Sequence, residues 1–530
     1  MSDATQIPVL TRISEYVSYH AANQPETEAL VLRERRIDYQ SFAEEIKRYA
    51  KALIFAGVTH GDRIAMLGAP RPEFMLLLMA TVDIGAIWMG MHPRYRMREF
   101  RHVVGLAKPK LIFAFDEIDG RHYTSELEAL NAEFDCVENI ILFDSVKAPE
   151  FCLSANEFLE RADQINDNIW LQMQQAVATD DPAVIIFTSG TTGEPKGAMN
   201  SHFGLIHGAH VERRHWPGEH IRVLQNMPIN HIANIGMMSS YCLVSGGTLV
   251  FQDRFDPGDL LSLIEQEEIT FWLQSPVQFH LTAAHKDFDS RDISSLQYMI
   301  WGGGPMPQYL VEKLSKIDAK LATAYGMTEL TAYVTFSDLD EKPEVLANSI
   351  GRPEQNYALR LMKADGSEAQ AGEEGEIQAK GRWIMRGYFD QPIATQEAFT
   401  DDGWFHTGDV AIRLDDGNWR LVGRTKEMYK SGGFNIYPRE IEIVMEEHPA
   451  VALTAVLSVS DLIYDEVGYA FIQPYAGAKV TEEEIRDWCK ERLANYKVPK
   501  TFEFLESLPT LPIGKIDKQA LRRKLDSASR

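Results

Sequence analysis

The fold is decided by the stretch Ala183-Val184-Ile185-Ile186-Phe187-Thr188-Ser189-Gly190-Thr191-Thr192-Gly193-Glu194-Pro195-Lys196-Gly197. Its first five residues form a short apolar run, which predicts a buried strand. Hydroxyl side chains, glycines and one lysine follow, and such a loop can turn N–H groups, hydroxyls and an ammonium toward one anion. A nucleotide triphosphate is the obvious anion. The Walker pattern does not apply, because Gly197 follows the lysine where that pattern has Ser or Thr.

The composition is that of a large acidic globular protein. A chain of 530 residues predicts two to four compact units. Hydrophobic residues make up 45% and charged residues 25%, as in soluble globular proteins. The net charge of −24 argues against wholesale binding to nucleic acid or to an anionic membrane. An anionic ligand would therefore need local basic groups.

The cysteines and the N-terminus predict a cytoplasmic location. The four cysteines are scattered without metal-ligand spacing, which indicates reduced core thiols. The first residues lack a basic segment followed by an apolar core, so no secretory signal is evident. The most apolar window, residues 74–91, is interrupted by Asp83 and Gly85, which favours a buried helix and strand over a membrane span. We expect no stable membrane insertion.

Helical and strand patterns alternate through the first two thirds of the chain. Helical periodicity covers residues 40–56 and 73–84, and strand patterns cover 63–67 and 110–114. This alternation predicts an α/β fold, with layered α/β subdomains and largely parallel sheets in a large N-terminal domain.

The pattern changes near residue 370, where strand and hairpin signals predict a small β-rich subdomain. A small α+β C-terminal domain then follows, and we place the domains at residues 1–425 and 426–530. The predicted elements are a strand at 374–379, a hairpin of 410–414 and 419–422, a helix at 440–447, strands near 450–460 and 466–474, a helix at 482–495 and a basic helix from Lys518.

Two motifs follow predicted strands. Trp301-Gly302-Gly303-Gly304-Pro305 reads either as an ordinary strand-to-helix turn or as a surface on which a flat ring or acyl group lies against backbone. In Thr323-Ala324-Tyr325-Gly326-Met327-Thr328-Glu329, Tyr325 could stack on a base, Thr328 could bond a phosphate and Glu329 could hold Mg²⁺. Taken alone, most such patches are ordinary loops.

Three single residues each have two interpretations. Asp409, just after a predicted tight turn, is either a turn former or a carboxylate for ribose hydroxyls. His231, at the end of a predicted strand, is either structural or catalytic. Lys515 is either solvated surface or part of a loop shaped by Pro512 and Gly514.

The ordered set of motifs resembles the adenylate-forming superfamily, which contains acyl-CoA synthetases, beetle luciferases and peptide-synthetase adenylation domains. The resemblance covers nearly all of the chain. The motifs run in order through Thr188 to Gly197, Pro228-Ile229-Asn230-His231, Gly302-Gly303-Gly304-Pro305, Tyr325-Gly326-Met327-Thr328-Glu329, Ser349-Ile350-Gly351-Arg352-Pro353, Thr407-Gly408-Asp409, Gly423-Arg424-Thr425-Lys426, Ser431-Gly432-Gly433-Phe434-Asn435-Ile436 and Gly514-Lys515.

This resemblance implies a large N-terminal domain, a small mobile C-terminal domain and a role for each motif. Tyr325 would pack on adenine, Glu329 would bind Mg²⁺, and Lys515 would bridge the substrate carboxylate and the α-phosphate. The implied catalytic residues are Lys515, His231, Thr328 and Glu329. The implied ATP- and AMP-binding residues are Thr188, Ser189, Gly190, Thr191, Thr192, Gly193, Lys196, Gly302, Gly303, Gly304, Pro305, Thr323, Ala324, Tyr325, Gly326, Met327, Thr328, Asp409, Arg424 and Lys515.

The resemblance also implies a second step with coenzyme A. Lys430, Gly432 and Gly433 would line the path of the pantetheine arm, and Lys426 would be the hinge. Departures are few: Gly304 stands where relatives often have Ala, Phe434 where many have Glu, and Lys426 where others have Asp. None of them removes a catalytic role.

The implied function is ATP-dependent formation of an acyl-adenylate, followed by transfer to coenzyme A with release of AMP and pyrophosphate. Two alternatives remain. One is an adenylating enzyme that loads a carrier protein, and the other is a nucleotide-binding protein that has lost catalysis. The acid is not identified, although a pocket of mostly small or apolar residues favours an acid with a bulky apolar body. The oligomeric state is left open, with a homodimer as one possibility. The implied acyl pocket is His231, Ile232, Ala233, Leu273, Gly302, Gly304, Ala324, Thr331 and Ala332.

Overall fold

The structure is a computed structural model that describes residues 7–144, 148–188, 195–510 and 516–528. It divides the chain into two compact units. Unit 1 comprises Met1–Gly304, Glu312–Glu341 and Lys380–Asp402, and unit 2 comprises Pro305–Val311, Lys342–Ala379 and Gly403–Arg530. Unit 2 contains residues on both sides of the predicted boundary at 425 and 426, and that boundary stays a prediction.

The described strands are numbered in chain order. They are β1 Glu28–Leu32, β2 Arg35–Asp38, β3 Arg63–Leu67, β4 Ile87–Met91, β5 Leu111–Ala114, β6 Glu117–Ile118, β7 Arg121–His122, β8 Asn139–Leu142, β9 Cys152–Ser154, β10 Pro182–Thr188, β11 Lys196–Ser201, β12 Arg222–Gln225, β13 Thr248–Phe251, β14 Phe271–Gln274, β15 Tyr298–Trp301, β16 Lys320–Gly326, β17 Tyr333–Phe336, β18 Arg352–Pro353, β19 Ala358–Met362, β20 Glu374–Lys380, β21 Phe405–Arg413, β22 Trp419–Arg424, β23 Tyr429–Ser431, β24 Phe434–Ile436, β25 Val451–Asp461, β26 Asp465–Pro474 and β27 Thr501–Phe504.

The described helices are numbered in the same way. They are α1 Glu15–Asn23, α2 Tyr39–Phe55, α3 Pro72–Asp83, α4 Met97–Ala107, α5 Thr124–Glu133, α6 Ala155–Leu159, α7 Asp167–Ala176, α8 His202–His215, α9 Tyr241–Ser245, α10 Pro257–Gln266, α11 Pro276–Ala283, α12 Gln308–Leu314, α13 Pro343–Asn348, α14 Pro392–Glu397, α15 Pro438–Glu446, α16 Glu482–Arg492 and α17 Lys518–Ala528. A π-helix, Ala233–Ser240, leads into α9, and short 3₁₀ turns cover Glu160–Gln164, Thr328–Leu330 and Asn495–Lys497.

Unit 1 is built on two sheets in which most neighbouring strands are parallel. One has the order β11-β10-β4-β3-β5-β8-β9, and the other runs β17-β16-β15-β14-β12-β13-β1-β2. The antiparallel neighbours are β10 with β11, β1 with β2 and β16 with β17. The predicted buried helix and strand are confirmed as α3 and β4, and every residue of β4 is buried. Apolar side chains surround α3 because neighbouring layers enclose it.

Unit 2 contains a four-stranded antiparallel sheet, β19-β20-β21-β22, and a second sheet, β24-β23-β26-β25, with β27 parallel to β26. Helices α15 and α16 share a core with the second sheet, which includes Ile441, Met445, Ile485 and Ala470. The predicted combination of α/β layers, a small β-rich part and a smaller α+β part is confirmed.

Four local predictions were wrong. Asp409 lies inside the continuous strand β21, not after a tight turn, because a bulge absorbs the glycine before it. Tyr325 lies within β16, which extends to Gly326. Strand β12 ends at Gln225, well before His231, because a polar loop intervenes. Helix α16 ends at Arg492, because its C-cap Leu493 is extended.

Candidate active site

Within unit 1 the motif residues gather at the carboxyl ends of parallel strands. Gln274 of β14 pairs with Trp301 of β15, which pairs with Thr323 of β16. The glycine run therefore begins beside Ala324. A Cβ on Gly302 would lie 3.0 Å from the Ala324 carbonyl oxygen, so the two backbones approach closely at this point. Ligands of open α/β sheets bind at such strand ends.

A buried carboxylate lies in this region beside a tyrosine. Glu329 is buried, and the Tyr388 hydroxyl donates a hydrogen bond of 2.9 Å to its Oε1 atom. Burial and the charge of Glu329 both raise the pKa of Tyr388 well above its ordinary value. The Lys196 ammonium lies 4.9 Å from the centroid of the Tyr388 ring. One side chain thus links the end of the phosphate loop to the predicted Mg²⁺ ligand.

The turn after Glu329 is strained and is held by an amide. Thr331 has φ +64°, which a β-branched residue rarely adopts and which costs about 1–3 kcal/mol. The Asn200 amide donates to the Thr331 hydroxyl at 2.7 Å and to the Thr328 carbonyl at 2.9 Å. This pair of bonds fixes the segment that carries Thr328.

Most of the predicted acyl-pocket residues are buried. His231 is half-buried, and its Nδ1 accepts the Ala233 N–H at 3.1 Å. Gly304 is half-buried, and Gly303 has φ +76°. The buried members are Ile232, Ala233, Leu273, Ala324, Thr331 and Ala332.

Polar side chains lie at the carboxyl ends of the neighbouring strands β12, β13 and β14. The Gln274 amide donates to Asn226 Oδ1 at 2.5 Å, and the Asn226 amide donates to Gln252 at 2.9 Å. Gln274 is fully buried, and its Oε1 atom has no hydrogen-bond partner among the described residues. Ser275 caps helix α11 by accepting the Gln278 N–H.

Unit 2 contains the predicted ribose pair. Asp409 of β21 pairs in register with Arg424 of β22, and the guanidinium Nε donates to Asp409 Oδ1 at 2.7 Å. The preceding Gly408 has φ +73°, and its N–H donates to Glu376 Oε1 at 3.0 Å. The β21 bulge therefore depends on Glu376, which the sequence did not single out.

The residues predicted for the hinge and for coenzyme A also lie in unit 2, as does Pro305. Lys426 is exposed in the turn between β22 and β23, and Lys430 is exposed in β23. Gly432 and Gly433 have φ +57° and +87°, so a left-handed hairpin turn requires glycine there. The remaining predicted residues, Ser189, Gly190, Thr191, Thr192, Gly193 and Lys515, lie outside the described residues.

Within the four described segments, no helix combines the length and the apolar character that a bilayer crossing requires. The same segments contain no group of three or more His, Cys, Asp or Glu side chains arranged as a metal site. In proteins Mg²⁺ is usually held by one or two carboxylates together with phosphate oxygens and waters.

Known proteins match along nearly the whole chain. The family model described as AMP-binding enzyme matches residues 17–389, and the one described as AMP-binding enzyme C-terminal domain matches residues 440–515. A feruloyl-CoA synthase from Amycolatopsis is 34% identical, with 92% of this chain and 94% of that protein covered. An indoleacetate–CoA ligase from Aromatoleum aromaticum is 31% identical, with 96% and 98% covered.

A solved structure shares the fold. It is the o-succinylbenzoate coenzyme A synthetase of Bacillus subtilis in complex with ATP and a magnesium ion. The TM-score is 0.82 at 25% identity, with 96% of this chain and 99% of that chain covered.

Proposed function

The chain belongs to the AMP-binding enzyme family, and from this premise we propose that it is an AMP-forming acid–thiol ligase. It converts a carboxylic acid and ATP to an acyl-adenylate and pyrophosphate, then transfers the acyl group to coenzyme A with release of AMP. The observation that carries the proposal is the cluster of Lys196, Tyr388 and Glu329 at the strand ends. It places a cation and a carboxylate on either side of one tyrosine.

The adenylation step brings two anions together. The substrate carboxylate attacks the α-phosphorus in line, and negative charge grows on the departing pyrophosphate. Lys196 and the hydroxyl-rich loop neutralise the β- and γ-phosphates, and Thr328 binds the α-phosphate. The buried Glu329 carboxylate suits Mg²⁺, which when bound neutralises phosphate charge. Tyr325 packs against adenine.

The remaining roles are assigned by motif position. The Asp409 carboxylate accepts hydrogen bonds from the ribose hydroxyls, and its ion pair with Arg424 orients it. Lys515 bridges the substrate carboxylate and the α-phosphate, and His231 shapes the acyl pocket. Thiol attack on the acyl-adenylate follows after rotation about Lys426, with Lys430, Gly432 and Gly433 along the pantetheine path.

The acid is best sought among aromatic, alicyclic and medium-chain acids. The buried pocket residues are small or apolar, which suits a bulky apolar body. The two relatives named for feruloyl-CoA and indoleacetate favour an aromatic acid. We place the protein in the cytoplasm, with ATP, Mg²⁺ and coenzyme A as its small-molecule partners.

Pyrophosphate release across a panel of carboxylic acids with ATP and Mg²⁺ tests the proposal. We expect release with at least one acid, and thioester formation when coenzyme A is added. A phosphopantetheinylated carrier protein, offered in place of coenzyme A, tests the carrier-loading alternative. No AMP formation with any acid would overturn the function.

Lys515→Ala separates the two half-reactions. The variant should lose acyl-adenylate formation, because the cation between the two reacting anions is gone. It should keep most thioester formation from a supplied acyl-adenylate, which no longer needs that cation. The two rates are measured separately, and an equal loss of both would refute the role of Lys515.

A further inference from the structure

A fully buried carboxyl group in unit 1 has no hydrogen-bond partner. Glu212 lies on helix α8 and is 0% exposed, and neither of its side-chain oxygens has a partner among the described residues. Burial raises the pKa of Glu212 well above its ordinary value, which favours the protonated form of the carboxyl. A neutral carboxyl offers one O–H donor and one acceptor oxygen. Leaving a buried polar group unsatisfied costs about 1–3 kcal/mol.

One turn further along the chain, an indole N–H is also unmatched. Trp216 is the C-cap of α8 and is fully buried, and its Nε1 atom has no partner among the described residues. The backbone N–H of Trp216 donates to the backbone carbonyl of Glu212 at 2.7 Å, so the two side chains leave the same side of the helix. Unpartnered polar atoms thus occur on one side of the helix, one turn apart.

The same helix face runs past the predicted acyl pocket. A Cβ on Gly204 would lie 3.0 Å from Thr331 Cγ2, and a Cβ on Gly208 would lie 2.5 Å from Ala332 Cβ. Glu212 follows at the same four-residue spacing and therefore continues this row. The row places Glu212 directly beyond residues assigned to the acyl pocket.

Tyr333 connects Glu212 to the glycine run. A Cβ on Gly302 would lie 3.1 Å from the Tyr333 hydroxyl oxygen, so this hydroxyl borders the surface where the acid is expected. Trp216, which follows Glu212 by one helical turn, packs against the Tyr333 ring at a centroid distance of 5.8 Å, and burial raises the pKa of Tyr333. No hydrogen bond of the Tyr333 hydroxyl is found within the described part of the chain.

Aromatic rings close the space beyond these groups. Trp216 packs edge-on against Tyr333 and Phe336 at centroid distances of 5.8 and 5.4 Å, and at 5.8 Å from Phe271. Tyr241 lies 4.6 Å from Phe271. A long flexible acyl chain would have to displace this cluster, so the pocket suits a compact acid.

We propose that the Glu212 carboxyl, together with the Trp216 indole N–H and the Tyr333 hydroxyl, binds a hydroxyl group of the substrate acid. This hydroxyl lies at the end of the acid remote from its carboxylate. The substrate class is a compact, hydroxylated aromatic or alicyclic acid, and the inference rests on the proposed ligase function. A hydroxyl both donates and accepts, which matches a neutral carboxyl.

Matched acid pairs test this inference. The probes are 4-hydroxybenzoate against benzoate and 4-hydroxycinnamate against cinnamate, with kcat/KM measured by pyrophosphate release. The wild type should favour the hydroxylated member by about tenfold or more, since a site built for a hydroxyl rejects analogues that lack it. Glu212→Leu should bring this ratio close to one, and Glu212→Gln, which still donates and accepts, should retain part of it.

Exposed Glu219, which lies just after α8, provides the matched control. Glu219→Gln should leave the ratio unchanged, and thermal unfolding checks that each variant is folded. The inference would be overturned by a wild-type kcat/KM ratio near one, or by a ratio that Glu212→Leu leaves intact. Either result would leave the ligase function standing, and both are expected if Glu212 binds a buried water instead of the substrate. If none of the tested acids supported activity, that result would instead count against the proposed function.

Discussion

A backbone N–H and one carboxylate position Asp409. Glu376 accepts the Gly408 N–H on Oε1, and its Oε2 lies 2.8 Å from His406 Nδ1. The Thr407 hydroxyl donates to the Ile377 carbonyl at 2.7 Å. These bonds hold the β21 bulge from both sides, so Glu376 positions Asp409, the carboxylate that we propose binds the ribose hydroxyls.

We predict that Glu376→Ala raises KM for ATP with a smaller effect on kcat. Losing a hydrogen bond to a charged group costs about 1.5–3 kcal/mol, which corresponds to about tenfold or more in affinity. Glu376→Gln should restore most of the affinity, because its amide oxygen still accepts the Gly408 N–H. Steady-state kinetics with varied ATP measure the effect.

Exposed Glu368 is the matched control for Glu376, since both lie in unit 2. Glu368→Ala should leave KM for ATP unchanged. If Glu376→Ala instead lowered kcat and kcat/KM equally with KM constant, positioning of the ribose would be the wrong explanation.

Residues within one motif were predictable, and residues joined by long-range pairing were not. Tyr325, Thr328 and Glu329 share one short stretch, so the sequence placed them near one another, and the family resemblance implied their joint role. Tyr388 reaches Glu329 because Tyr388 pairs with Ala198 of β11, a contact that no local pattern encodes. Such partners require the fold.

At the level of elements, helix α17 is anchored by a partly buried ion-pair network. Lys518 at its first turn pairs with Glu427 and with Glu442, the latter at 2.9 Å. Glu442 is buried on α15 and also pairs with Arg439. The two carboxylates raise the pKa of Lys518 despite its burial. Lys518 thereby ties the first turn of α17 to the turn that contains Lys426 and Glu427.

We predict that Lys518→Met destabilises unit 2 by about 1.5–3 kcal/mol, because the buried Glu442 carboxylate loses a charge-assisted contact and keeps only Arg439 of its two cations. Lys524→Met on the same helix is the control. Its ion pair with Glu503 is half-exposed and contributes at most about 1 kcal/mol. Thermal unfolding compares the variants, and equal shifts for both would show that burial of the Lys518 network contributes nothing.

Strong hydrophobic periodicity predicted the presence of helices and strands more accurately than their first and last residues. The predicted strand at residues 63–67 coincides with β3, and the predicted helix at 73–84 differs from α3 by one residue at each end. The predicted helix at 482–495 was too long, because Leu493 takes up an extended conformation although the residues after it still favour a helix. Sequence patterns weigh propensity, whereas the local fold decides where hydrogen bonding stops.

For the whole molecule, the two-step reaction requires one site to present different groups in turn. Lys515 and an incoming pantetheine arm cannot occupy the same place, so the proposed rotation about Lys426 replaces one with the other. Lys426 lies in the segment between the two family-model matches, at an exposed turn after β22. The glycines of the pantetheine path, Gly432 and Gly433, follow within the same unit.

We predict that Lys426→Pro slows thioester formation more than adenylation. Proline fixes φ near −65° and restricts the residue before it, so the backbone at the pivot loses the torsional freedom that rotation needs. Transfer from a supplied acyl-adenylate to coenzyme A should fall by about tenfold or more, a barrier increase of about 1.4 kcal/mol. Lys426→Ala keeps φ and ψ free and should retain both rates, which separates the pivot from the lysine charge. Single-turnover measurements of each half-reaction decide the matter, and a proline variant with an unchanged overall rate would remove the rotation from the mechanism.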